Sequence, residues 1–295
     1  MKVLLTGAAG FVGSHVAREL VHQHHEVHAI VRPQSNLWRV ADIEPSLHIL
    51  HGDLIDPTLV LQPSSFDCCI HLAWYVEPGK YLHAPQNKDW VDASLRLARM
   101  LQQAGCRRFV GTGTCFEYAP ADPPQRESTP TLPSTPYVQS KLELLGALQS
   151  TGIELAWLRL FYQYGPGEDS RRLVPVVINS LLRNQEMKLV PGDRIRDYLH
   201  IEDVASAACA VADSRLTGAV NIGSGVPVTV REIALKIGEA LDRVNLLKVG
   251  ALPYAASEPM HLLADNTKLR EGTGWKPRYP LDEGLRQTIE WWKSR

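Results

Sequence analysis

Three glycines early in the chain limit what it can fold into. The stretch KVLLTGAAGFVG sets Gly7, Gly10 and Gly13 directly between a short apolar run, residues 2–6, and an amphipathic stretch, FVGSHVARELVHQ. A strand that must turn at once into a helix needs backbone freedom at the turn, and glycine also lets that backbone approach a bound group closely. The helix then presents unpaired amides and the positive end of its dipole to whatever lies in front of it. Strand, glycine turn and helix together suit a pyrophosphate, so the segment reads as dinucleotide-binding, with Phe11 and Val12 part of the same wall.

The next 150 residues repeat this alternation. Apolar runs at 26–32, 47–51, 68–73, 107–112 and 154–160 are separated by helical patterns such as WVDASLRLARMLQQAG, which closes on Gly105 as a C-cap. Near-continuous apolar strands between helices predict an α/β protein, a doubly wound parallel sheet covered on both faces. After about residue 165, proline- and glycine-rich connections interrupt the pattern. The closing LDEGLRQTIEWWKSR is an amphipathic helix whose Trp291 and Trp292 read as packing.

Composition sets the context. The 295 residues are 44% hydrophobic and 21% charged, with a net charge of −1, which carries no basic excess for a nucleic-acid partner. No apolar run approaches the ~18 residues of a membrane span, and the glycine-broken N-terminal run is too short for a signal peptide. The five cysteines, Cys68, Cys69, Cys106, Cys115 and Cys209, lack metal-ligand spacing. Buried, reduced thiols and a cytoplasmic location are expected.

The end of the second run bears on cofactor choice. A ribose 2′-hydroxyl calls for a carboxylate about 20 residues past the glycines, and a 2′-phosphate calls for a cation. Arg32 stands there with no acid beside it, favouring NADP(H), with NAD(H) as the alternative. Asp53, in HGDL, is placed to hold the adenine amino group; Leu54 and Ala73 complete the cofactor set.

Proton chemistry points to two places. GTGTCFEYAP, after the fifth run, lies at the carboxyl edge of the sheet, where such folds bind ligands. PYVQSK follows, with Tyr137 and Lys141 four apart on one helical face. A phenol ionises near pH 10. An ammonium about 4 Å away contributes about 4 kcal/mol at intermediate dielectric, enough to poise the phenol near neutrality.

Glycine turn, Thr114 loop and tyrosine–lysine helix, in this order, resemble the extended short-chain dehydrogenase/reductase family. The segments LRLFYQYGPGE (158–168), RDYLHIEDVA (196–205), NIGSG (221–225) and GWKP (274–277) extend the resemblance over essentially the whole chain, toward the nucleotide-sugar branch. It implies a Rossmann-type cofactor domain, residues 1–165 plus roughly 196–225, and a smaller C-terminal α/β domain, residues 166–195 and 226–295, binding a nucleotide-diphosphate sugar. Carried over, Tyr137 is the general acid/base, and Lys141 its pKa tuner and nicotinamide-ribose ligand. Thr114 is the hydroxyl on the sugar oxygen, and Arg196 grips the substrate diphosphate. Family helices near 88–103 and 136–150 commonly form a homodimer.

Within that branch the Thr114 loop discriminates. The 4,6-dehydratases carry an acid two positions after the threonine, and the 3,5-epimerases a cysteine there. Here Phe116 holds that place, with Cys115 one residue early and Glu117 one residue late, so both read as structural. What remains needs one hydride and one proton. That fits NADPH-dependent reduction of the C4 ketone of a nucleotide-linked 4-keto-6-deoxysugar, or alternatively a 4-epimerase retaining its cofactor. Arg32 and the resemblance of HLAWYVEPGKYL and GTCFEY to deoxysugar ketoreductases favour reduction.

Other readings carry less weight. A non-catalytic relative would typically lose Tyr137 or Lys141, and an enzyme for apolar steroid-like substrates would lack the Arg196 motif. HQHHEVH, spanning a helix end and the next strand, should scatter its rings, so no metal site is expected. The family's helix before the Thr114 loop often carries an asparagine four residues before the position of Ser94; Trp90 stands there, and Asn87 lies elsewhere on the helix.

Overall fold

The computed structural model describes residues 1–61, 65–121, 124–253 and 260–295. The first part runs β1 (Lys2–Thr6), α1 (Phe11–His22), β2 (Glu26–Val31), β3 (Leu47–His51), β4 (Cys68–His71), α2 (Gln86–Gln103), β5 (Arg108–Thr114), α3 (Pro136–Gln149) and β6 (Glu154–Leu160). Then come β7 (Tyr162–Tyr164), α4 (Leu173–Leu182), β8 (Met187–Lys188), β9 (Ile195–His200), α5 (Ile201–Asp213) and β10 (Gly218–Ile222). The last part holds β11 (Pro227–Thr229), α6 (Val230–Ala240), β12 (Leu247–Lys248), β13 (His261–Leu262), α7 (Thr267–Thr273) and α8 (Leu281–Lys293).

Seven strands form one parallel sheet in the order β10-β6-β5-β4-β1-β2-β3, the doubly wound Rossmann-type arrangement. The order reverses between β1 and β4, so a crevice opens at their carboxyl ends. Side-chain alternation builds a core on each face. Val3, Leu5, Cys68 and Ile70 join α1 and α5 on one side. Leu4, Cys69, Phe109 and Trp157 join α2 and α3 on the other. This alternation accounts for the adjacent, fully buried Cys68 and Cys69.

A smaller sheet sits beyond the crevice. β9 pairs with β11, β13 and β7, and α4, α6 and α8 pack on one another around Val174, Ile178, Ile233, Ile237, Leu285 and Ile289. β9 falls in a stretch that the resemblance placed with the cofactor-binding half, yet its strand partners β7, β11 and β13 belong to this small sheet. α5, which follows without a break, returns to the large one. The tandem tryptophans divide. Trp292 packs into the small core, while Trp291 stacks on Trp38 with ring centroids 6.2 Å apart.

Candidate active site

The glycine turn is built for close approach. Gly7 has a φ of +78°, and a side chain there would meet the Leu72–Ala73 backbone at 2.9 Å. A methyl group on Gly13 would collide with the Gly7 carbonyl, so the helix can begin this tightly only with glycine. α1 opens on Gly10 with no side-chain cap and no acid in its first turn, leaving its amides and dipole unopposed. This cradle fits a dinucleotide pyrophosphate.

A cleft of about 1180 Å³ runs from this turn across the sheet edge. Gly7, Gly10, Phe11, Val12, Gly13, Arg32, Asp53, Leu54 and Ala73 line one end; Thr114, Tyr137 and Lys141 line the middle. Arg32 is exposed just past β2, and no aspartate or glutamate stands beside it in the chain. Asp53 accepts from the Ile55 amide at 3.0 Å, which fixes its carboxylate in the wall.

Arg196 is placed differently. Its side chain is 1% exposed on β9 and does not line the cleft; Nη1 donates to the carbonyls of Ile195 (2.9 Å) and Met260 (3.3 Å), behind the wall residue Tyr162. The pairing of β9 with β13 decides this, and no local pattern reports it. Beyond Arg32 and Lys141, the cations lining the cleft among the described residues are Arg39, Arg171 and Arg172. Arg171 is bidentate to Asp169, at 2.9 and 2.8 Å, and lies 3.6 Å from Glu77. Arg172 has its guanidinium 5.5 Å from the Tyr81 ring centroid, and its charge acts on the carboxyls of Glu168 and Asp169.

Thr114 ends β5 and caps the short turn Cys115–Glu117, its Oγ accepting from the Phe116 amide at 3.2 Å. Glu117 turns away from the cleft. It is fully buried, accepting from the Thr114 amide (2.9 Å), the Trp157 indole (3.0 Å) and the Arg159 guanidinium (2.7 Å). Cys115 is buried as well, and burial pushes its thiol up to about 12, far from a reactive thiolate.

Tyr137 and Lys141 sit on the first turns of α3, as the four-residue spacing implies. The Lys141 ammonium donates to the Thr112 carbonyl at 2.8 Å and rests 3.6 Å from the Trp74 ring centroid. The Tyr137 ring meets Tyr81 edge-on at 4.9 Å and Trp74 at 6.5 Å. The electrostatics depart from expectation. Burial, then Tyr81, Glu117 and Cys115, push the phenol above its ordinary range, opposed by Arg172. Burial pushes Lys141 down to about 7. Both groups are desolvated, and the ammonium lies 5.8 Å from the Tyr137 ring centroid while resting closer to Trp74.

Other contributors carry no local signal. His71 accepts from the Thr6 hydroxyl (2.8 Å) and donates to Ser94 (2.8 Å), which donates to the Trp90 carbonyl, so a neutral imidazole, pushed down to about 3 by burial, ties β1 and β4 to α2. Asn87 accepts from the Trp74 indole at 2.8 Å and donates to the carbonyls of Tyr81 and Ala84, pinning the aromatic wall. Glu168 lines the cleft with Oε2 buried and unpartnered, and desolvation raises its carboxyl well above the usual range.

The profile of the NAD dependent epimerase/dehydratase family matches residues 3–223. The chain belongs to that family. It is 27% identical to a UDP-glucose 4-epimerase of Halalkalibacterium halodurans over all of this chain and 96% of the relative. Among solved structures, TunA, an NAD dependent NDP-hexosamine 5,6-dehydratase of tunicamycin biosynthesis, superposes with a TM-score of 0.85 at 28% identity, covering 100% of this chain and 98% of that one. A UDP-N-acetylglucosamine 4-epimerase from Methanobrevibacter ruminantium M1, at 24% identity and a TM-score of 0.89 over 99% and 98% of the two chains, shares the fold. Trp74 and Tyr81, both within HLAWYVEPGKYL, pack against Tyr137, and Asn87 holds them in place; no local pattern distinguished them.

Proposed function

We propose that the protein is a nucleotide-sugar 4-epimerase that retains a nicotinamide dinucleotide. The observation that carries this reading is the composition of the cleft centre. Tyr137, Thr114 and Lys141 line it, whereas Glu117 is locked by three buried partners and Cys115, also on the lining, is a thiol held protonated by burial. Elimination of water or proton movement at other carbons needs an additional catalyst that these two residues do not provide. Curated relatives named UDP-glucose 4-epimerase support the same choice.

A bound dinucleotide supplies acceptance and return of the C4 hydride. The protein's part is positional and protonic. The Tyr137 phenol exchanges the proton of the sugar's O4, Thr114 Oγ orients that oxygen, and Trp74, Tyr81 and Phe116 shield the centre from water. Arg172 meets the substrate diphosphate in a forked geometry that suits guanidinium.

A second reading is reduction of a 4-keto-6-deoxysugar by NADPH. Exposed Arg32 at the 2′-position favours it, as does a phenol held protonated, ready to donate to an alkoxide. Five buried, unpaired cysteines suit a cytoplasmic setting, and α2 and α3 are the faces through which we expect a homodimer, to be checked by light-scattering mass.

The deciding experiment incubates purified protein with UDP-glucose, UDP-galactose and their N-acetylamino and uronic counterparts, without added reductant, and follows C4 configuration by NMR. Interconversion of one C4 pair, reduced about 10²–10⁴-fold by Tyr137→Phe, supports epimerisation. No interconversion, together with stoichiometric NADPH loss on a 4-keto-6-deoxysugar, replaces it with the reductase.

A further inference from the structure

The histidine run 22–28 does scatter its rings, but its last member, His28, meets a histidine from outside the run. His24 takes a left-handed turn, φ +61°, and the chain then enters β2 with Glu26 and His28 on the same face. β2 and β3 pair in parallel with His28 opposite His48, so neighbouring strands bring two imidazoles side by side. Their rings stack with centroids 4.5 Å apart and planes 17° from parallel. Glu26 Oε1 lies 2.7 Å from His28 Nε2, and one ligand atom from each of the three residues lies within 4.8 Å of the others.

We propose that Glu26, His28 and His48 form a binding site for a zinc-class divalent cation at the amino edge of the large sheet, opposite the edge that carries the cleft. Two neutral imidazoles and one carboxylate are a recurrent zinc donor set, leaving a fourth position for water. Imidazole also selects this class over magnesium and calcium, which favour all-oxygen sites. The geometry is nearly preformed. His28 is fixed between the His48 ring and Phe66, whose centroid lies 5.3 Å away, while Glu26 and His48 are exposed and able to close on an ion. Among the described residues, the competing cation at the site is the Lys2 ammonium, 3.6 Å from Glu26, which the metal would displace. Bound there, the ion bridges adjacent strands and stabilises the folded chain, since the unfolded chain holds no preformed site.

The test is calorimetric titration of chelator-treated full-length protein with zinc chloride, with magnesium chloride as control, alongside His48→Gln and Glu26→Gln. Both replaced side chains are exposed, so both variants should fold; a third variant, His22→Gln with His24→Gln, reports on the rest of the histidine run. The expected result is one zinc per chain and a zinc-dependent rise in Tm. Affinity should fall by at least about tenfold in each single variant, as for loss of groups that orient or form a metal site, and stay unchanged in the double variant. Absence of stoichiometric binding at about 1 mM zinc, a concentration that reveals even weak sites, overturns the proposal. So does zinc binding that His48→Gln leaves intact.

Discussion

At the scale of single residues, burial rather than pairing governs the reactive groups. The desolvated Lys141 releases its proton near pH 7 in the folded chain and about three pH units higher when unfolded. Between those values the unfolded chain binds the extra proton, so this group's contribution to stability rises with pH, by up to about 1.4 kcal/mol per unit. Lys141→Met should therefore gain most over the parent at pH 6, the advantage shrinking toward pH 10 in urea titrations; a constant difference would show that the ammonium is not desolvated. Arg32 is a second single-residue determinant. If it reads a 2′-phosphate, Arg32→Glu should weaken NADPH binding by at least about tenfold, the scale of one charged hydrogen bond, and spare NADH. Equal losses for both cofactors would remove Arg32 from that role.

Among the elements, the turn after β5 shows how the sheet fixes the Thr114 loop at the cleft. Glu117 holds the Thr114 amide while bonded to Trp157 and Arg159 on β6, with the Arg159 and Glu117 side chains 5% and 0% exposed. Breaking such a pair from one side leaves a buried charge and costs about 3–5 kcal/mol. Glu117→Ala should lower the denaturant midpoint accordingly and displace Thr114. A variant that lost activity with full stability would mean that Glu117 acts in the chemistry instead. The sequence placed this glutamate one residue from a dehydratase acid; its partners, 40 and 42 residues further along the chain, assign it to structure.

Across the whole molecule, the loops following the two sheets meet at the cleft. Tyr75 donates to Glu77 at 2.8 Å, and Arg171 lies 3.6 Å from Glu77 while fastened to Asp169. These groups are largely solvated, so the link is worth no more than about 1 kcal/mol to stability. Its effect should appear in ligand retention. Arg171→Ala should leave Tm nearly unchanged and raise KM for the nucleotide sugar several-fold at constant kcat, an effect that high salt reproduces in the parent. A fall in kcat with unchanged KM would contradict a role in retention.

The parallel sheet, the glycine cradle and the Tyr137–Lys141 face were legible because each depends on short-range geometry: two-residue alternation, a turn of a few residues, one helical step. The cleft's remaining character was not. That Arg172 lines the cleft while Arg196 lies buried on β9, that Trp74 and Tyr81 pack against the tyrosine, and that His28 meets His48 all depend on which elements become neighbours. Nor was the desolvation of Tyr137 and Lys141 legible, since it depends on everything packed around a group and not on its spacing in the chain.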